Sequence, residues 1–267
     1  MKALILNLAD QTERMALQRA QMAHFALDFE RIEAVTPATL SRPTGDPYWM
    51  RWQRPMRDTE KAVLESHQRA WQFVVETGEP HLILEDDALL AEGAAELLAS
   101  VEKSAAIDHL TLEARGRKKL LGAQLDELPV RRLYQDRTGA AAYVLWPSGA
   151  EKLLAHTAHA GALADAAICS AYSLRSYQAD PALAIQIDRC EIYGVTAPFV
   201  VTSTIDVERK PDRLAGLAWH QRAGFRLRRF AAQLRMGLRQ LANAHRASRI
   251  AVPVASNWPE FRSPDFR

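Results

Sequence analysis

Residues 81–90, HLILEDDALL, drive an unbroken apolar run straight into three consecutive acids. Leu82, Ile83 and Leu84 carry no polar alternation, so a strand made of them needs cover on both faces. Glu85, Asp86 and Asp87 repel one another, and each is costly to desolvate unless it is paired or binds a metal. Few folds meet both demands. A sheet packed between helices does, if the strand end that bears the acids stays open to a ligand.

The rest of the chain fits that requirement. ALILNL (3–8) reads as a buried first strand, followed by a helix-spaced segment, TERMALQRAQMAHFAL (12–27). DFERIEAV (28–35) reads as a second strand. Residues 36–57 hold four prolines and a glycine and read as a loop. TEKAVLESHQRAWQFVVETG (59–78) is a helix that stops at Gly78-Glu79-Pro80. HLIL, GAAELLASVEKS, DHLTLEA, GAAAYVLW and PSGAEKLLAH then read as strand, helix, strand, strand and helix. Strands alternating with helices give an α/β fold with a mostly parallel sheet.

With 267 residues, 48% hydrophobic and 25% charged, the chain has the makeup of a soluble globular protein. A net charge of +2 excludes bulk polyanion binding, so no nucleic-acid partner is expected. Two cysteines make no disulfide framework and suit a reducing compartment. The opening MKALILNLADQTER lacks a long apolar core and a cleavage site, and no run approaches the ~20 apolar residues of a membrane span. The expected location is the cytoplasm.

Charge is unevenly spread. Between Arg209 and Arg249 there are eleven Lys or Arg and one acid, Asp212. The sequence therefore divides into a catalytic-looking region, 1–205, and a basic helical region and tail, 206–267. Over roughly 211–247, Leu227, Phe230, Ala231, Leu234, Leu238 and Leu241 fall on one helical stripe. Arg228, Arg235, Arg239 and Arg246 form one flank, and Arg222, Arg226 and Arg229 the other. This layout suits an anionic membrane surface, or a helix packed on the catalytic region or on a second subunit.

The three acids lie where an open α/β sheet binds ligands, at the carboxyl end of a strand. Alternation sends Glu85 and Asp87 to one side and Asp86 to the other. A pair so spaced suits a hard divalent cation such as Mg²⁺ or Mn²⁺, which would also hold a diphosphate. The alternative is a solvated acidic turn that caps the next helix.

Four blocks, in order, resemble glycosyltransferase family 25, the lipooligosaccharide galactosyltransferase family. They are ILNLADQTERM (5–15), TEKAVLESHQRAWQ (59–72), LILEDDALL (82–90) and TGAAAYVLWPSGAEKLL (138–154). Asn7 stands where the family usually has Ser. The resemblance implies a GT-A-like nucleotide-sugar fold and inverting transfer of a hexose, galactose foremost. The donor would be a UDP-sugar and the acceptor a lipooligosaccharide or other glycan, including a lipid-linked oligosaccharide. It implies Glu85 and Asp87 as metal ligands, with Asp86, Asn7, Arg14, Ser66 and His67 at the donor. Glu113, also at a strand end, is the first candidate for the base, and Asp165 the second. Trp71 and Tyr143 read as core. Tyr48, Trp49 and Trp52, in the 36–57 loop, suit stacking on acceptor sugars, or equally a lid or a packing patch. A lipid-linked acceptor would place the enzyme peripherally on the inner face of the membrane. Two other readings stand beside this one. One is a catalytically silent sugar-nucleotide-binding module or membrane scaffold of the same fold; the other is a metal-dependent phosphate-ester hydrolase.

Overall fold

In β1 (Lys2–Asn7), Ala3 and Ile5 face one side of the sheet and Leu4 and Leu6 the other, and all four are buried. β3 (His81–Glu85) repeats the division, with Leu82 and Leu84 set against Ile83. The unbroken apolar runs are strands with helices on both faces. The structure, a computed structural model, describes residues 1–199 and 217–261.

α1 (Thr12–His24) covers one face through Met15 and Met22, beside α3 (Ala94–Val101) with Leu97, Leu98 and Val101. α2 (Asp58–Thr77), α4 (Pro147–Thr157) and α5 (Ala164–Ser170) cover the other, through Leu64, Trp71, Val74, Leu153 and Ile168. Gly78 ends α2 at φ 70°, a left-handed cap that its lack of a Cβ allows, and its N–H donates to the Val74 carbonyl. Gly149 lets α4 lie directly on backbone, since a Cβ there would come 2.1 Å from the Asp108 carbonyl oxygen.

The main sheet adds β2 (Phe29–Glu33), β5 (His109–Thr111), β6 (Lys118–Gln124), β7 (Val130–Gln135), β8 (Ala142–Leu145), β9 (Ser176–Ala179) and β11 (Ser248–Ala251). Among the described residues the order is β11-β6-β7-β9-β5-β8-β3-β1-β2. β1 runs parallel to β2 and β3, and β5 to β9. β8 is antiparallel to β3 and β5, and the far side of the sheet continues antiparallel. β4 (Ala88–Leu90) and β10 (Ala184–Gln186) form a separate antiparallel pair. Because β1 and β3 are parallel, with Leu6 level with Glu85, Asn7 and the acids emerge at one edge.

Segment 36–57 is more ordered than its prolines suggest. It holds two short 3-10 turns, Pro37–Thr39 and Pro47–Arg51. Tyr48 and Trp49 are not free to stack on sugars; both are buried, and a Cβ on Gly161 would come 2.6 Å from the Trp49 ring. Of the three aromatics, Trp52 alone is not buried, and it lines a surface cleft.

α6 (Trp219–Asn243) follows, and β11 then returns to pair with β6. The expected boundary at 205/206 lies outside the described residues. The basic flanks of α6 are not equivalent: Arg228 and Arg239 turn in to donate to the carbonyls of Trp52 and Tyr134. Arg246 lies beyond the helix and donates to Asn243 Oδ1. Among the described residues no helix is long and apolar enough to cross a membrane.

Candidate active site at the carboxyl edge of the sheet

After Glu85 the chain turns through Asp86 and Asp87 into β4, and two buried glutamines of α1 fix that turn. Gln18 Nε2 donates to the carbonyls of Asp86 and Ala88, at 3.0 and 2.9 Å. Gln21 Nε2 donates to Ala88 O at 2.9 Å, and its Oε1 accepts from the Leu90 N–H at 2.8 Å. Neither glutamine was singled out from the sequence. Their signal was there, as two amides among the apolar positions of one helix.

The acids part as strand alternation requires. Asp86 turns toward β1, accepting from Asn7 Nδ2 at 2.8 Å and Arg14 Nη1 at 3.1 Å. Glu85 and Asp87 turn the other way and meet one atom, Gln186 Nε2 of β10. It lies 3.3 Å from Glu85 Oε2 and 3.4 Å from each Asp87 carboxylate oxygen. Burial, and then the Glu85 and Asp86 charges, push the Asp87 carboxyl up to about 7. Burial also raises Asp86, against the pull of Arg14 and the Asn7 hydrogen bond.

Two carboxylates converge on one weak donor, with Arg14 directed at Asp86 instead, and so offer the oxygen donors that half of a hard-cation site needs. Among the described residues no three His, Cys, Asp or Glu side chains come together as a full cage. Mg²⁺-type sites seldom need one, since substrate phosphates and water complete the shell of one or two carboxylates. The donor set fits a divalent cation of that kind.

His67 sits in a chain of hydrogen bonds under this edge. Trp71 Nε1, which can only donate, gives its hydrogen to Tyr143 Oη at 2.7 Å. The Tyr143 hydroxyl lies 2.9 Å from His67 Nδ1, and His67 Nε2 lies 3.2 Å from Glu85 Oε1. The arrangement that satisfies every partner has Tyr143 donating to Nδ1 and His67 donating from Nε2 to the carboxylate. Trp71 and Tyr143 are core residues, as read from the sequence, and they also orient His67.

A cavity of about 230 Å³ opens beside the acids, and its lining includes Arg14, Ser66, His67, Glu85, Asp86, Asp87, Arg115 and Asp188. Ser66 meets it from the side, its hydroxyl held between the Val35 N–H and the Ala62 carbonyl at 2.8 Å each. Asn7 does not line it. This residue works one step back, accepting from Arg31 Nε at 3.0 Å and donating to Asp86. Arg115, which sequence reading passed over, lies 3.7 Å from Glu113 Oε1 and 4.0 Å from Asp188 Oδ2.

Glu113 and Asp165 stand off this cavity. Glu113 is 1% exposed; Oε2 accepts from the Ala141 N–H at 3.2 Å, while Oε1 accepts no hydrogen bond. Burial pushes its carboxyl up to about 7 despite Arg115. Asp165, at the first turn of α5, is raised by burial and lies within the fields of Glu85, Arg115 and Asp136. Beyond them, a cleft of about 370 Å³ runs between Trp52, Asp136, His156 and Arg235. Asp136 is itself paired with buried Lys119 at 2.6 Å.

No curated protein matches the chain. Among solved structures, a mutant of Drosophila beta-1,4-galactosyltransferase 7 in complex with manganese, UDP-Gal and xylobiose is similar at 11% identity and a TM-score of 0.39, over 79% of this chain and 80% of that one. A197 from STIV gives 11% and 0.39 over 67% and 81%, and S. aureus TarS gives 11% and 0.36 over 73% and 63%. At such identities these likenesses carry nothing about substrate. The sequence match is of another kind, because the model of glycosyltransferase family 25 (LPS biosynthesis protein) aligns with residues 1–168 of the 267. That span takes in both the acidic turn and the His67 chain, and the protein belongs to this family of glycosyltransferases.

Proposed function

We propose that the protein transfers a hexose, with galactose the first candidate, from a UDP-sugar to a glycan or lipid-linked oligosaccharide of the lipooligosaccharide type. The convergence of Glu85 and Asp87 on one point, beside a cavity with Arg14 and Arg115 on its walls, carries this reading. A divalent cation, Mn²⁺ or Mg²⁺, when bound, offsets the charge on the departing diphosphate. Glu85 and Asp87 would hold it. Arg14 and Arg115 face the same cavity and suit phosphate oxygens, which guanidinium groups pair bidentately. Asp86 and His67 line the sugar or ribose side, Ser66 the wall, and Asn7 aims Asp86.

Transfer proceeds with inversion. The acceptor hydroxyl attacks the anomeric carbon on the face away from the diphosphate. A new carbon–oxygen bond forms there, and the old one breaks with its electron pair passing to the diphosphate. The hydroxyl proton passes to a carboxylate. Glu113 is the first choice for that base and Asp165 the second. Arg115 covers Glu113 Oε1, so Glu113 serves only when that guanidinium swings away toward the diphosphate. The acceptor enters along the cleft walled by Trp52 and Asp136. The reaction is placed in the cytoplasm at the inner face of the membrane, where Cys169 and Cys190, both unpaired, suit a reducing milieu.

The test is UDP release from a panel of UDP-sugars with Mn²⁺, with and without an acceptor glycan. Release from one donor that rises with acceptor is the expected result. Donor binding without release would assign the fold to the silent sugar-nucleotide module instead.

A further inference from the structure

α6 is built inside out for a helix on a globular protein. Such helices bury their apolar stripe and solvate their polar face. Here a mixed face packs inward, with Phe225, Ala232 and Met236 beside Arg228, Arg239 and Gln240. Phe225 and Asn243 mark the buried line, and Arg228 between them donates to the carbonyls of Trp52 at 2.7 Å and Met50 at 3.0 Å. Gln240 Nε2 reaches Gln135 Oε1 at 2.7 Å, and Arg239 stacks 4.3 Å from the Tyr172 ring centre. On the opposite side Leu227, Phe230, Leu234, Leu238 and Leu241 are 53 to 75% exposed, and Trp219 at the helix start is 80% exposed. A contiguous stripe of this size on a soluble protein marks a contact surface.

We infer that this face of α6 lies in the interfacial region of an anionic lipid bilayer, its leucine stripe inserted and its exposed arginines against lipid phosphates. Charge decides between occupants. Arg222, Arg226 and Arg229 stand exposed on one flank of the stripe and Arg235 on the other, while 219–251 contains no acid. A second copy docked face to face would oppose arginine rows with nothing to neutralise them. An anionic surface supplies the missing counter-charge, and each basic residue near it strengthens binding roughly fivefold. The apolar stripe between basic flanks is the layout of interfacial helices.

The other wall of the same helix gives the contact a use. Ala232, Arg235 and Met236 line the cleft shared with Trp52 and Asp136, so a bilayer under α6 lies beside the cleft mouth. This use rests on the transfer reading given above; the membrane contact itself does not.

The experiment uses the full chain and sedimentation with vesicles of phosphatidylcholine alone or with a third phosphatidylglycerol. Binding at least tenfold tighter to the anionic vesicles, weakening as salt is raised, is expected. The double variant Leu234→Glu, Leu238→Glu should lose at least tenfold in that binding. Its melting temperature and oligomeric state should not change, because both side chains already face solvent. Binding that is absent, or equal on neutral vesicles, or insensitive to salt, overturns the inference. So does a double variant that melts early or changes from dimer to monomer, since another part of the chain or a second copy would then cover the stripe. Transfer to a soluble acceptor, measured without vesicles, keeps the two readings apart. Vesicle binding without transfer counts against the enzyme reading alone, and transfer without vesicle binding against the membrane contact alone.

Discussion

His67 Nε2 lies 3.2 Å from Glu85 Oε1, and this hydrogen bond ties the middle of α2 to the end of β3. Behind it stand the Tyr143 hydroxyl and the Trp71 indole. The bond fixes which Glu85 oxygen remains for Gln186 or a cation. If Glu85 holds Mn²⁺ as proposed, His67→Ala should raise the Mn²⁺ concentration for half-maximal transfer about tenfold to a hundredfold, the usual cost of losing a group that orients a metal ligand. Trp71→Phe removes only the far donor and should cost less. Half-maximal Mn²⁺ concentrations for the two variants check this order, and equal values would mean that the chain does not orient Glu85.

Asp87→Asn should separate activity from stability. Transfer should fall at least about a hundredfold, as when a charge-stabilising group is lost from a reaction centre. In EDTA above neutral pH the variant should melt higher than the parent, because a buried charge repelled by Glu85 and Asp86 is gone. Transfer surviving in EDTA would remove Asp87 from the metal role.

Glu113→Gln should lower turnover far more than donor affinity, since a base acts on the transition state while the donor is held elsewhere. Asp165→Asn serves as the comparison. Should it be the variant with the turnover loss, Asp165 is the base. Equal losses in turnover and donor binding for Glu113→Gln would place that residue at the donor.

Glu113 also leaves a mark on stability. Its carboxyl rises from 4.5 in the unfolded chain to about 7 in the fold. The folded protein then holds the proton more tightly, so stability is greatest below about 4.5, falls as pH climbs to about 7, and is flat above. Over about pH 5 to 8 this amounts to about 2 to 3 kcal/mol. Urea melts in EDTA should show the parent losing that much more than Glu113→Gln across the interval. Parallel curves would return Glu113 to the ordinary carboxylate range.

Trp52→Ala should raise the acceptor KM roughly tenfold and leave the donor KM alone, by removing an aromatic face from the cleft wall. A change confined to the donor KM would move the acceptor elsewhere.

Much of this was legible in the chain. The runs at 3–8 and 81–84, the helices between them and the open acidic edge follow from local periodicity, and period is a property of neighbouring residues. So does the division of Glu85 and Asp87 from Asp86. The far side of the sheet was not legible. β6 and β7 are chain neighbours, but β11 joins β6 and β9 joins β7 across long separations, and no local pattern names such a partner. Gln186 lies about a hundred residues beyond the acids it meets, and Gln18 and Gln21 reach the acidic turn from a helix far upstream.

α6 shows the limit most plainly. The sequence by itself determined that the helix has one apolar stripe and basic flanks, because a helical wheel depends only on spacing. It left open which face turns inward. That was decided by carbonyls at Met50, Trp52 and Tyr134, more than a hundred residues away in the chain, which draw Arg228 and Arg239 down and roll the leucines outward. Periodicity defines a face, but only the groups that the fold brings opposite decide what that face meets.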